Sequence, residues 1–184
     1  MWAKVEDSTI TQLIPRPKAI TIGDTQYPRN IFGAWSVSEL EAIGIYEVTI
    51  DSTNRKDKDY YNNTDITYAF SSGAVTGSYG TAIAKNLADL KTRYKEKTNT
   101  QAYSHLQDSD WLVVRAAEGG TAVPSAWTTY RAAVRTKAND MQTLIDNVAN
   151  VDALAALFTY THTDPDDLSS PQTRPLGEFP DEPS

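Results

Sequence analysis

The chain has 184 residues, of which 40% are hydrophobic and 22% charged, and this composition is sufficient for a buried core. It contains no cysteine, which excludes disulfide bonds, thiolate metal sites and cysteine nucleophiles. The formal net charge is −7 and there is no basic stripe, so phosphate backbones are repelled and nucleic acid is not expected as a partner.

The amino-terminal residues do not have the character of a targeting or membrane segment. Lys4, Glu6 and Asp7 lie where a secretory signal needs an unbroken apolar run. No stretch approaches the roughly 18 apolar residues of a membrane span. We therefore expect synthesis in a cytoplasm and no membrane partner.

Short β-strands are predicted at the start of the chain. β-Favouring side chains alternate or cluster in residues 2–5, 10–14 and 19–22, and Asp-Ser and Gly-Asp pairs supply the turns between them. Pro15 and Pro17 force extended backbone and cannot donate to a ladder, which favours a position at a sheet edge.

A short helix interrupts the strands. Ser36 and Glu39 have the spacing of a capping box, which predicts a helix over residues 37–43. Gly44 then provides a left-handed residue to end it. Apolar residues alternate again in residues 45–50 and predict a further strand.

Aromatic and β-branched residues continue to the end of the first half. Residues 60–79 predict more strands, with a hairpin turn at residues 72–73. Tyr60 and Tyr61 lie beside a charged loop, and we expect them at the surface. Residues 1–80 are therefore predicted to form a β-rich module.

Helical periodicity replaces the strand pattern in residues 81–160, the predicted helical module. Thr81 is the expected cap of a first helix of about 20 residues. A turn at residues 108–110 precedes a short apolar segment, and Pro124 opens the clearest amphipathic helix. A final short helix is expected at residues 151–158.

The last residues, 161–184, predict an extended, proline-rich acidic tail. Six acidic side chains and five prolines accompany a single arginine there. Leu168, Leu176 and Phe179 are its large apolar groups, and we expect such anchors to dock on another surface. The predicted fold class is α+β, with a β-rich amino-terminal half, a helical carboxy-terminal half and this tail.

No arrangement of reactive side chains predicts catalysis, a metal site or a cofactor site. His105 and His162 are not within helical or strand reach of a serine and an acid. The aspartates at residues 108–110 and 164–167 lack the spacing of a calcium loop. We therefore expect a protein that is not an enzyme and uses no cofactor.

The carboxy-terminal half carries a pattern of specific residues: Leu106, Asp110, Trp111, Arg115, Pro124, Trp127, Tyr130, Arg131 and Arg135. It resembles the bacteriophage tail-fibre assembly, or tail assembly chaperone, domain, whose helix carries a tyrosine-arginine pair and a second arginine. Phe179 and Pro180 are similar to that family's aromatic-proline ending, with Phe where Trp is usual. The segments around Trp35 and Tyr46 resemble β-rich modules of phage tail proteins.

This resemblance and the side-chain chemistry together predict residues that bind partner proteins: Trp111, Trp127, Tyr130, Arg131, Arg135, Leu176 and Phe179. Trp111 and Trp127 are expected to pack as anchors under a helical hairpin. Arg131 and Arg135 lie four residues apart on one helix face, where they could pair with Asp108 or Asp110 or with a partner's carboxylates.

The resemblance implies a function in phage assembly. One hypothesis is a non-enzymatic virion protein of the tail or tail-fibre apparatus, located in the virion tail after synthesis in the host cytoplasm. Its partners would be other tail or fibre subunits or further copies of itself. The alternative is a tail-fibre assembly chaperone that does not stay in the virion. A fibre-borne glycan hydrolase would need paired carboxylates in a cleft, and the sequence places no such pair.

Overall fold

The computed structural model describes residues 1–183 and forms two compact units, Met1–Ile83 and Ala84–Ser184. Strands dominate the first unit and helices the second, which confirms the predicted α+β class. Within residues 1–183, no helix is both long enough and apolar enough to cross a bilayer.

The first unit contains most of the strands and two short helices. Its elements are β1 (Trp2–Glu6), β2 (Thr9–Ile14), β3 (Ile20–Ile22), β4 (Thr25–Tyr27), α1 (Ile31–Ala34), α2 (Val37–Ala42), β5 (Ile45–Asp51), β6 (Tyr61–Asn62), β7 (Ile66–Ser71), β8 (Ala74–Tyr79) and β9 (Ile83–Ala84).

A five-stranded mixed sheet in the order β2-β1-β5-β8-β7 organises the unit. β5 and β8 are parallel, with Val48 opposite Val75, and the other neighbours are antiparallel. The β1–β2 turn has positive φ at Asp7 (48°) and Ser8 (61°), and the β7–β8 turn has it at Ser72 (52°). Both are turns of the type whose twist matches that of hairpin strands.

The sheet buries side chains on both faces because successive residues of a strand point to opposite sides. Ala3 and Val5 of β1 lie on one face, packed with Val48 and Val75. The other face packs against the short helices and the β3–β4 hairpin, in a cluster of Ile14, Ile20, Ile31, Phe32, Leu40 and Ile45. β2 is an edge strand and ends just before the two prolines, as predicted.

The predicted capping box is present at α2. Ser36 Oγ accepts from Glu39 N, and Ser36 N donates to the Glu39 carboxylate at 2.8 Å. The hydrogen bonds that Ser36 N and Ser36 Oγ donate to the Glu39 carboxylate hold its pKa below the usual range. Gly44 follows with φ of 79°, the left-handed conformation expected where this helix ends.

The surface position predicted for Tyr60 and Tyr61 is wrong. Their exposed fractions are 7% and 8%. Asn63 holds the charged loop before them by exchanging two 2.8 Å hydrogen bonds with the Lys56 backbone, and Lys56 Nζ lies 4.4 Å from the Tyr61 ring centroid. The loop therefore covers Tyr61.

The second unit contains four helices and a small hairpin: α3 (Leu87–Gln107), α4 (Asp110–Ala117), α5 (Ser125–Asn147), α6 (Val151–Phe158), β10 (Thr161–His162) and β11 (Gln172–Thr173). α3 and α5 are its long helices, and the most deeply buried side chains include Met141, Ile145 and Leu154, each with 0% exposure. The predicted helix that opens at Pro124 is confirmed as α5, and the predicted short helix at residues 151–158 is confirmed as α6.

The predicted cap of the first long helix is wrong, although its length of 21 residues agrees with prediction. Thr81 does not cap it, since Ile83 is part of β9 and the chain is still extended there. Asn86 is the cap, and its side chain accepts from Ala88 N at 2.8 Å and from Asp89 N at 3.2 Å.

Gly44 should tolerate a side chain less well than Gly23, although both have positive φ, 79° and 56°. A Cβ at Gly44 would lie 2.7 Å from Val5 O, whereas one at Gly23 meets nothing within 4 Å. We expect Gly23→Ala to lower the free energy of unfolding by about 1–2 kcal/mol, through backbone strain alone. Gly44→Ala adds the close contact to this strain, so its loss should be about 1–3 kcal/mol larger than the loss for Gly23→Ala, measured by urea titration. Equal losses would show that the close approach is not maintained.

Candidate partner-binding surface

Arg131 joins α5 to the corner between α3 and α4. Its Nη1 donates to Leu106 O at 2.8 Å and to Ser109 Oγ at 2.5 Å, and its Nη2 donates to Asp110 Oδ1 at 2.7 Å. Arg131 is 7% exposed and Ser109 is 1% exposed, so the bond between them is buried, whereas the Asp110 side chain at the other end of the guanidinium is half exposed. The predicted pairing of Arg131 with Asp110 is confirmed.

This corner determines which side chains of α4 face solvent. Leu112 points inward and is 6% exposed, whereas Trp111 is 58% exposed and Val114 53% exposed. The prediction that Trp111 packs as a core anchor is therefore wrong, because Leu112 takes the inward direction one residue later. Trp127, the second predicted anchor, is partly buried against the α3–α5 cluster.

Trp111, Val114 and Arg115 lie at positions i, i+3 and i+4 and form one surface, which we call the α4 face. The Arg115 guanidinium lies 4.8 Å from the Trp111 ring centroid, in a cation–π contact. Arg115 Nε is buried and has no hydrogen-bond acceptor within residues 1–183. The α4 face is thus apolar and cationic, with one donor left unsatisfied.

Tyr130 is a buried part of the same helical packing. It is 4% exposed, its hydroxyl lies 3.1 Å from His105 Nδ1, and the Trp127 ring meets it edge-on at 5.7 Å. Burial raises the pKa of Tyr130, and the negative charges of Glu182 and Asp108 add to that rise. The phenol therefore stays neutral and holds His105 in place.

Two predicted partner-binding residues of the tail pack on this chain's own helices. Leu176 is 1% exposed and its backbone N donates to Leu157 O at 3.0 Å. Phe179 lies against the α3–α5 cluster, with its ring 4.9 Å from that of His105. The tail around Leu176 is thus a strap that completes the helical core, and Leu176 has no surface to offer a partner.

Hydrogen bonds around Glu178 fasten this strap. Arg174 Nη2 donates to Glu178 Oε2 at 2.8 Å, and Tyr160 Oη donates to Glu178 Oε1 at 2.6 Å. The Arg174 guanidinium also lies 5.1 Å from the Tyr160 ring centroid. A cleft of about 550 Å³ opens beside the strap and is lined by polar groups such as Gln101 and Ser104.

The predicted partner-binding residues differ in whether a partner can reach them. Arg135 is exposed and its Nη1 reaches only Arg131 O, at 3.4 Å, so it does not pair with a carboxylate of residues 1–183. Tyr130, Arg131 and Leu176 are buried in the fold. Of the predicted partner-binding residues, Trp111 and Arg135 are the exposed ones, and their partner contacts stay predictions.

The other end of the tail forms a second exposed feature around Leu168, one of the predicted apolar anchors, in a hairpin that was not predicted. β10 and β11 pair as a hairpin whose loop, residues 164–170, we call the acidic knob. Leu168 projects from it with 78% exposure, after Asp166 and Asp167. The signal was present in the sequence, because aspartate and serine residues on both sides of Leu168 favour tight turns.

Local hydrogen bonds hold the acidic knob in one conformation. Asp164 Oδ1 accepts from Asp166 N at 3.0 Å, and Asp167 Oδ1 accepts from Ser169 Oγ at 2.6 Å and from Ser169 N at 2.9 Å. The bonds from Ser169 hold the pKa of Asp167 below its usual range, so this carboxylate is ionised at neutral pH. Leu168 is therefore presented on a hydrogen-bonded, negatively charged loop.

His162 forms hydrogen bonds within the β10–β11 hairpin. His162 Nδ1 lies 2.9 Å from Ser170 O, and its Nε2 lies 3.0 Å from Gln172 Nε2, so both ring nitrogens brace the hairpin. Among residues 1–183, no group of three or more histidine or acidic side chains could hold a metal ion.

No family model, curated protein or solved structure matches the chain.

Arg131 should contribute far more to stability than Arg135. Arg131→Met removes the charge-assisted hydrogen bonds to Leu106, Ser109 and Asp110, which join three segments at one buried guanidinium, so we expect a loss of about 2–4 kcal/mol in the free energy of unfolding. Arg135→Met is the matched control, with an expected change within about 0.5 kcal/mol. Chemical denaturation of both variants gives the comparison, and similar losses would contradict the assigned role of Arg131.

Leu176 of the strap is buried and Leu168 of the acidic knob is exposed, so the same substitution at each tests whether the strap is docked. Leu176→Ala opens a cavity in the helical unit, and we expect it to lower the free energy of unfolding by about 2–5 kcal/mol. Leu168→Ala removes an exposed side chain and should change it by no more than about 0.5 kcal/mol at low protein concentration. Guanidinium titrations followed by far-UV circular dichroism measure both. A harmless Leu176→Ala variant would mean that the strap is not docked in solution.

Proposed function

We propose that this chain is a non-enzymatic structural protein of a bacteriophage tail or tail-fibre apparatus, and that it binds neighbouring subunits through the α4 face. The observation that supports subunit binding is the exposure of Trp111 and Val114 on a helix whose other side is already buried by Leu112. A helix that is apolar on both sides is typical of a buried element, so a second surface is needed to cover the exposed side.

The composition of the α4 face also suits a protein interface. Tryptophan and arginine are the residue types most enriched at the centres of interfaces, and here they are stacked on each other. Arg115 adds a positive charge beside the exposed Trp111 ring, which favours a partner that carries a carboxylate. The phage setting rests on the motif that runs from Leu106 to Arg135 and its resemblance to the tail-fibre assembly domain.

A tail-fibre assembly chaperone is the second candidate. An exposed apolar surface such as the α4 face is also what a chaperone needs in order to shield apolar surfaces of fibre subunits before they assemble. The two candidates differ in fate, because a virion protein stays in the finished particle and a chaperone leaves it.

Peptide mass spectrometry of purified particles of the source phage, quantified against the major capsid protein, tests the proposal. We expect the chain at a fixed stoichiometry in particles. Absence from particles together with abundance in infected-cell lysate would contradict a virion role and support the chaperone.

A variant pair tests the surface. Phage supplied with a Trp111→Ala chain should incorporate less of it than phage supplied with Tyr103→Ala, since Tyr103 is an exposed aromatic, 62% exposed, outside the α4 face. Equal incorporation of both variants would show that the α4 face is not the contact.

A further inference from the structure

We propose that the α4 face binds the acidic knob of a second copy of this chain. This rests on the proposed function only in taking the α4 face as a contact between protein subunits, and it names the partner: another copy of the same chain. The inference uses two exposed surfaces of one unit, each of which has the chemistry that the other lacks.

The α4 face defines what its partner must carry. Trp111 and Val114 need an apolar side chain to cover them, since both are more than half exposed. Arg115 is cationic, is only partly buried and forms no ion pair with a carboxylate of residues 1–183. The partner must therefore place a carboxylate next to an apolar side chain, so that both surfaces lose water together.

The acidic knob carries this combination. Leu168 is 78% exposed, and the two residues before it are aspartates whose side chains are also exposed. The turn is held by hydrogen bonds of Asp164 and Asp167, so little conformational entropy is lost when it docks. Leu168 is thus suited to pack on the Trp111 ring while Asp166 approaches the Arg115 guanidinium.

A second copy is the occupant because the chain does not satisfy these groups by itself. Both the α4 face and the acidic knob belong to the helical unit, and both are exposed there. Each copy has one of each surface, so a two-fold pair makes the contact twice, as closed symmetric oligomers do. Such repetition gives useful affinity to a contact that is small on its own.

Sedimentation velocity of the full chain over a range of concentrations tests the proposal. We expect reversible self-association that Trp111→Ala and Leu168→Ala each weaken roughly tenfold or more. Tyr103→Ala, which alters an exposed aromatic of α3 outside the contact, should leave the association unchanged. Circular dichroism of each variant verifies that its helices are intact.

A charge exchange tests the polar part of the contact. Arg115→Glu and Asp166→Lys should each weaken association, because each places like charges opposite each other. The double variant restores opposite charges and should recover association to within roughly threefold of the original chain. No recovery would overturn the pairing of Arg115 with Asp166.

A mixing experiment identifies the two surfaces as partners. A Trp111→Ala chain keeps an intact knob, and a Leu168→Ala chain keeps an intact α4 face, so an equimolar mixture should associate more strongly than either variant alone. A chain that is monomeric at about 1 mM overturns the proposal. The proposal is also overturned if only one of these two variants weakens association, or if neither does. In that case the chain associates through a different pair of surfaces.

These outcomes are separate from those that test the proposed function. A monomeric chain that is found at fixed stoichiometry in particles would remove self-association and leave the virion role intact. A chain that self-associates as described and is absent from particles would support self-association and contradict the virion role.

Discussion

The buried hydrogen bonds of Arg131 are the interaction on which the helical unit depends. One guanidinium reaches the end of α3 at Leu106, the turn at Ser109 and the start of α4 at Asp110. A planar guanidinium holds its acceptors in fixed directions, whereas the donors of a lysine ammonium rotate on a flexible stem. Because the corner is fixed in this way, α4 leaves α3 with Leu112 inward and Trp111 outward, and the candidate surface exists as a consequence.

The proline-rich tail has two different parts. Around Leu176 and Phe179 it is a strap whose apolar groups complete the packing of the long helices, fastened by Arg174 and Glu178. Around Leu168 it is a hairpin loop that is ordered by its own hydrogen bonds and leaves its leucine exposed. The same composition thus supports a structural role in one part and a binding role in the other.

Sequence patterns predicted those features that depend on neighbouring residues. The capping box of Ser36 and Glu39, the hairpin turn at Ser72 and the helix opened by Pro124 are all present. Such signals survive folding because the groups that make them are within a few residues or one helix turn of each other.

The sequence by itself determined the α+β class, the order of most elements and the chemistry available at the site. Only the tertiary structure decided which of the aromatic, apolar and charged side chains are exposed and which are buried. Trp111 and Tyr61 are both aromatic residues beside charged ones, yet one is 58% exposed and the other 8%. Burial depends on what distant segments pack against a residue, as the loop at Lys56 does for Tyr61, and no local pattern encodes that.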